Sequence, residues 1–240
     1  MDILLLGYGR MGRMIEQLAL AAGDRVAAAI DIDNAHELAT LGKVADVAID
    51  FSAPALLPQT TAYIQRTKTP LLSGVTGCSE AQLAALGALG AYAPVLHSAN
   101  YSIGVAVFKK LLEAIASTPL MDFDIELTET HHNQKADAPS GTAKLLLAAL
   151  DPQGARTPVY GREGLCGKRK PNEIGVHALR GGTVAGEHSV LFFGEDEAFE
   201  LTHRAASRKI FAAGALKAAR ALIGKPNGRY TLEQILFGEG

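Results

Sequence analysis

Along the first hundred positions the apolar residues concentrate in short stretches, at 3–6, 25–31, 45–52, 70–73 and 94–97, with longer stretches of helical periodicity between them. A run that is apolar at every position suits a strand buried on both faces of a parallel sheet. Helices are expected at 13–22, after Pro54 and at 79–91, and this succession predicts an α/β, Rossmann-like unit. Beyond residue 101 the rhythm changes. A helix over 103–117 leads to 123–128, where apolar and polar positions alternate, as in a strand with one wet face. A helix over 143–150 follows, and then three strand candidates, at 174–180, 184–193 and 198–204, with only Gly181-Gly182 and Gly194-Glu195-Asp196 between them. Consecutive strands predict a smaller α+β unit with an open mixed or antiparallel sheet and helices on one face. An alanine-rich helix over 207–223 and a short one after Thr231 close the chain. Layer logic returns them to the first domain, so the expected domains are 1–101 with 207–240, and 102–206.

Composition narrows the class. The 240 residues, 48% hydrophobic and 20% charged, are enough for two modest cores in an ordinary globular chain. A net charge of −2 gives no reason to expect nucleic acid or a membrane surface as partner. No apolar run approaches a membrane span, and Met1 leads straight into a strand with no basic segment before it, so a cytoplasmic location is expected. Cys78 and Cys166 form no framework, which suits a reducing compartment.

Two stretches carry candidate chemistry. The first strand meets Gly7-Tyr8-Gly9-Arg10-Met11-Gly12, then a helix, then a second strand ending at Asp31, which follows Gly12 by 19 positions. This is a dinucleotide fingerprint in its required setting of strand, glycine turn, helix, strand and acid. Further strands end at Ser52, at the turn 74–77 and at 98–101, and in an open parallel sheet ligands lie at such ends. Asp31 would repel the 2′-phosphate of NADP, and Ile32, Asp33 and Asn34 supply no arginine to hold one, so NADH is favoured over NADPH. The second stretch runs from Glu129 to Ala143 and holds His131, His132 and Lys135, then Pro139-Ser140-Gly141-Thr142 entering a helix. Ser140 suits an N-cap, and the free N–H groups behind it suit a carboxylate or phosphate. The histidines and lysine add proton-transfer groups and positive charge, so the pair of features fits a small dicarboxylate substrate. Metal binding is not expected, since neighbouring histidines diverge and no cysteine is near. The basic, glycine-rich run 161–171 reads as a solvated loop.

The stretch Glu129-x-His131-His132-x-x-Lys135-x-Asp137-x-Pro139-Ser140-Gly141-Thr142-Ala143 resembles the signature of the 4-hydroxy-tetrahydrodipicolinate reductase (dihydrodipicolinate reductase) family. The resemblance continues in Gly-Arg-Met-Gly at 9–12, Asp-Phe-Ser at 50–52, Gly-x-Thr-Gly at 74–77, Ala-Asn-Tyr-Ser at 99–102 and Arg-x-Gly-x-x-x-Gly-x-His at 180–188. It implies an NAD(P)H-dependent oxidoreductase of diaminopimelate and lysine biosynthesis. The implied reaction converts (2S,4S)-4-hydroxy-2,3,4,5-tetrahydrodipicolinate to 2,3,4,5-tetrahydrodipicolinate and water. It further implies His131 and Lys135 as the proton-transfer pair. His132, Lys135, Gly141 and Thr142 would hold the substrate carboxylates. The implied cofactor contacts are Gly7, Tyr8, Gly9, Arg10, Met11, Gly12, Gly74, Val75, Thr76, Ser98, Ala99, Asn100 and Tyr101, and the implied assembly is a homotetramer formed through the second domain. Two features depart from the family pattern: a first glycine turn one residue short, and a short segment after Asp31 with room to have lost a strand or helix. Two rivals stand beside this reading. One is an amino-acid dehydrogenase of similar architecture; the other is a dinucleotide sensor, which would need the fingerprint but not the clustered proton donors.

Overall fold

A computed structural model describes residues 1–118 and 122–238, so 119–121 and the last two positions of the expected returning segment lie outside the described residues. In chain order the elements begin with β1 (Asp2–Leu6), α1 (Arg10–Ala21), β2 (Arg25–Ile30), β3 (Val47–Asp50), α2 (Leu57–Thr67), β4 (Leu71–Ser73), α3 (Glu80–Ala88) and β5 (Pro94–His97). Then come α4 (Ile103–Ala116), β6 (Asp124–His131), α5 (Gly141–Leu150), β7 (Thr157–Tyr160), β8 (Glu173–Arg180), β9 (Glu187–Phe193) and β10 (Ala198–Arg204). The chain ends with α6 (Lys209–Leu222), β11 (Gly228–Tyr230) and α7 (Leu232–Phe237). Two compact units result: Met1–Ile103 with Lys209–Gly240, and Gly104–Arg208.

The first unit is built on a parallel sheet of order β11-β5-β4-β3-β1-β2. Its middle strands are apolar at successive positions because both faces are covered: Leu4, Leu6, Ala48, Leu71 and Val95 belong to one cluster with Tyr63 and Ile64 of α2 and Leu86 of α3. The segment after Asp31 keeps a helix despite its shortness. Residues Ile32–Ala39 form a 3-10 helix kinked at Asn34, and Arg66 of α2 ties it down through the carbonyls of Leu38 and Leu41, both at 2.7 Å. β11 was not apparent in the sequence, since Gly228-Arg229-Tyr230 carries no apolar run; its pairing with β5 makes it a strand.

The second unit is a mixed sheet of order β10-β9-β6-β8-β7. β8 runs parallel to β6 and β9 antiparallel to it, so β8 and β9 are not partners and Gly181-Gly182 belongs to a connection that crosses the end of β6. β6 itself runs three residues past the end that its apolar pattern suggests. Ile125, Leu127, Glu129 and His131 are all buried on one face, because successive side chains of a strand alternate. Ile125 and Leu127 pack with Phe108 and Leu112 of α4 and Leu146 of α5; Glu129 and His131 continue the same row as polar residues. On the opposite face the basic loop is not free. Arg162 grips both oxygens of Glu126 at 3.0 Å, and Arg169 reaches Glu126 at 3.4 Å and Asp124 at 2.6 Å. Gly175 of β8 makes room, as a Cβ there would lie 1.7 Å from the Glu126 carboxylate.

Candidate functional site

In the first unit each of the three glycines after β1 has a separate cause. Gly7 sits at φ +85°, and a Cβ on it would fall 2.6 Å from the backbone of Ser52, so turn and β3 touch directly. At Gly12 a Cβ would strike the Gly7 carbonyl at 2.1 Å, which is how closely α1 packs on its own turn. Gly9, the N-cap of α1, has nothing within 4 Å of where a Cβ would be. Its open surface, at a helix N-terminus with no acid in the first turn, fits a pyrophosphate. The Tyr8 N–H donates to Asp31 Oδ2 at 3.2 Å, so the turn and the acid meet. Asp31 also caps the 3-10 helix, accepting from Ile32 N–H, and Arg13 lies over the Tyr8 ring at 5.5 Å.

The other strand ends gather at the same edge. Gly74 is fixed by its N–H to the Asp50 carbonyl at 2.7 Å, and a Cβ on it would lie 2.4 Å from the Phe51 ring. Thr76 and Ala99 are exposed, and Ser98 turns the chain by accepting from Asn100 N–H at 3.2 Å. Val75 and Tyr101 are buried: the Tyr101 hydroxyl donates to the Ser73 carbonyl at 2.7 Å and its ring meets Phe51 at 5.7 Å, so Tyr101 braces the end of β4. Asp50, fully buried, accepts at Oδ1 from the Ser52 N–H at 2.9 Å and hydroxyl at 2.6 Å. Burial pushes its carboxyl up to about 6, against those two Ser52 bonds.

In the second unit His131 closes β6 and Ser140 caps α5, accepting from Ala143 N–H at 3.1 Å. Between them the Lys135 ammonium donates to Asp137 at 2.6 Å, and Arg208 reaches His132 at 3.5 Å. Gly141 is exposed, with nothing within 4 Å of a Cβ, so the start of α5 is open to an anion. Behind these residues lie three, Glu129, Arg180 and His188, that the sequence motifs contained but for which the sequence suggested no role. Glu129, with no exposed surface, accepts from Arg180 at 3.0 and 2.9 Å, from the Ser140 N–H at 3.1 Å, and pairs with His131 Nδ1. Ser140 Oγ meets His188 Nε2 at 3.0 Å, and the His131 and His188 rings lie edge to face at 5.1 Å.

Charge sets the protonation here. Burial would raise the Glu129 carboxyl, but Arg180, His131 and the Ser140 N–H outweigh it and hold the group below its ordinary value. Burial lowers His131 despite the opposing pull of Glu129, with Lys135 and Arg180 adding to the fall. His188 is lowered to about 4, by burial first and then by His131. Glu129, His131 and His188 have ligand-type atoms within 4.8 Å of one another, a spacing that suits a metal ion, but both Glu129 oxygens already face the Arg180 guanidinium, which repels a cation. Among the described residues no helix is long and apolar enough to cross a membrane.

Comparisons with known proteins point to one family. The family model described as dihydrodipicolinate reductase, N-terminus, matches residues 1–101, and its C-terminal counterpart matches 104–236. A 4-hydroxy-tetrahydrodipicolinate reductase from Exiguobacterium sibiricum is 47% identical, over 100% of this chain and 98% of its own. One from Staphylococcus aureus is 45% identical over 98% of this chain and 100% of its own. Among solved structures, a dipicolinate-bound dihydrodipicolinate reductase from Paenisporosarcina sp. TG-14 superposes with a TM-score of 0.79 at 21% identity, covering 98% of this chain and 99% of that one. An amine dehydrogenase from Mycobacterium smegmatis, at 0.61 and 11% identity over 97% and 95%, shares the fold alone. The chain therefore belongs to the dihydrodipicolinate reductase family, the 4-hydroxy-tetrahydrodipicolinate reductases, which are NAD(P)H-dependent oxidoreductases of diaminopimelate and lysine biosynthesis.

Proposed function

We propose a division of labour for this reductase in which the first unit holds the dinucleotide and the second holds and protonates the dicarboxylate. The observation that carries it is the junction of β6 and α5, where a buried histidine and an open, Ser140-capped helix N-terminus are tied to one carboxylate. When bound, the reduced nicotinamide would supply a hydride to C4 of the conjugated cyclic imine left once the 4-hydroxyl has departed as water, giving an enamine that then takes a proton. One substrate carboxylate rests on the Gly141 and Thr142 end of α5; the other takes Lys135 from Asp137 and faces His132. His131 is lowered by burial in the resting chain, and an arriving dianion opposes that effect, so His131 takes up its proton with the substrate. His131 and Lys135 then stand as the donors for the enamine carbon. Gly7, Gly9 and Gly12 with Tyr8, Arg10 and Met11 cradle the pyrophosphate, Asp31 accepts from the adenosine ribose, and 74–76 with 98–101 line the nicotinamide end. NADH is the preferred reductant, because Asp31 would repel a 2′-phosphate. NADPH is the slower one. The enzyme is read as a cytoplasmic homotetramer joined through the outer face of the second sheet, where Leu179 and Phe193 stay 51% and 43% exposed.

The test is oxidation of NADH, then of NADPH, with freshly made hydroxy-tetrahydrodipicolinate, using wild type and Lys135→Ala. Wild type should turn over faster with NADH, and Lys135→Ala should lose about 10²-fold or more of kcat while binding NADH normally. An equal collapse of NADH affinity would sink the two-site division. Sedimentation of the wild type would check the tetramer.

A further inference from the structure

We propose that Glu129 is a positioning residue that fixes His131 and the N-terminus of α5 to each other, with Arg180 as the counter-ion that makes this possible. This rests on the reading of His131 and α5 given above, and assigns the parts that hold them in register. The geometry is unusually complete for one carboxylate. Oε2 takes His131 Nδ1 and the Arg180 Nη1 donor at 3.0 Å; Oε1 takes the Ser140 N–H at 3.1 Å and the Arg180 Nη2 donor at 2.9 Å. Each oxygen thus has two partners, and the group has no exposed surface.

Three consequences follow from those contacts. A carboxylate that stays ionised accepts only, so Nδ1 of His131 carries the hydrogen and Nε2 is the nitrogen left to exchange a proton. Gly186 keeps that nitrogen accessible, since a Cβ there would lie 3.1 Å from it. The Ser140 N–H is the first donor of the turn that leads into α5, so holding it sets where the Gly141 and Thr142 N–H groups point. The loop 132–139, which carries Lys135, then has both its ends on one carboxylate, and Arg180 grips its middle through the Asp137 carbonyl at 2.7 Å. The charged and titratable groups facing this centre come from every neighbour: Lys135 and Asp137 from the loop, Arg180 from β8, His188 from β9 and His203 from β10. Arg180 is the cation that contacts Glu129 directly; the His188 ring lies edge to face with His131, and burial lowers both His188 and, beyond it, His203.

The first experiment needs no variant. Nitrogen NMR of the His131 ring in the full wild-type chain should show Nδ1 protonated and Nε2 bare near neutral pH. The opposite tautomer would overturn the proposal, whatever the substrate proves to be. The second is Glu129→Gln, whose kcat should fall by about 10²-fold or more. Its pH profile of kcat should shift its His131 limb toward acid, because the carboxylate that favours imidazolium is gone. NADH affinity should be unchanged. A uniform loss of activity with an unmoved limb and an unchanged tautomer would leave Glu129 a merely structural ion-pair partner and overturn the proposal. Failure of the wild type itself to oxidise NADH would instead strike the assigned reaction, and the tautomer measurement separates the two.

Discussion

Asp50 and Glu129 are both carboxylates with no exposed surface, both at or near the carboxyl end of a central strand, and the protein drives them in opposite directions. Asp50 has one working oxygen, bonded to Ser52, and its Oδ2 and the Thr60 hydroxyl each lack a hydrogen-bond partner among the described residues. Burial dominates there, and the acid is pushed up to about 6. Glu129 is just as dry, yet Arg180 and two other partners, His131 and the Ser140 N–H, hold it below its ordinary value. Burial alone therefore does not decide ionisation; a matched counter-charge with every lone pair satisfied does. The difference suits the two places. Asp50 pins Ser52 against the glycine turn, a task for hydrogen bonds, whereas Glu129 sits behind His131, for which we propose proton transfer and where a standing charge would have use.

The strongest way to break the contrast is to remove the counter-charge. Arg180→Ala leaves Glu129 buried and unpaired, and should destabilise the second unit by about 3–5 kcal/mol, read by denaturant unfolding at neutral pH. Less than about 1 kcal/mol would mean that Glu129 is not held as an ion. The companion variant Glu129→Gln with Arg180→Ala should recover part of that loss.

His188 sharpens the contrast from the acid side. Its folded value of about 4 lies below its unfolded one, so the unfolded chain binds the extra proton and stability is lost as pH falls from about 6.5 to 4. The loss is on the order of 3 kcal/mol when complete. His188→Gln should flatten that limb in pH-dependent thermal melts; a limb of unchanged depth would show that some other group carries it.

Asp50 should show the opposite slope and a smaller effect. Its folded value is raised, so the folded chain holds the proton longer, and stability falls as pH rises from about 4 to about 6. Asp50→Asn keeps an acceptor for Ser52 and removes the buried charge. It should raise stability above pH 6 by roughly 3 kcal/mol and change nothing at pH 3. Destabilisation at both pH values would mean that the charge itself holds Ser52 in place.

Much of the cofactor half was legible because its cues are local. Apolar runs mark strands buried on both faces, and the positive φ of Gly7 and the contact of Gly12 with the Gly7 carbonyl arise within a single turn. The substrate half was legible as a motif but not as a machine. Glu129 and His131 are two positions apart, which puts them on one face only if the strand continues through them, and a polar pair at the end of an apolar run gives no sign that it does. Arg162 and Arg169 read as solvated for a similar reason: their partner Glu126 lies 36 and 43 positions away.

The sequence by itself determined the order of the strands and helices other than β7 and β11, the glycine turn with its acid, and the His-His-Lys segment leading into a capped helix. Each is fixed by neighbours within a few residues, through periodicity, φ preference and capping. Only the tertiary structure decided that β8 lies beside β6 rather than β9, which brings Arg180 opposite His131 and onto Glu129 from 51 positions away. Strand pairing is a competition among distant segments for the same edge, and its outcome depends on packing over the whole sheet rather than on any local run. The ionic state of the site follows from that pairing, because the counter-charge arrives with the strand.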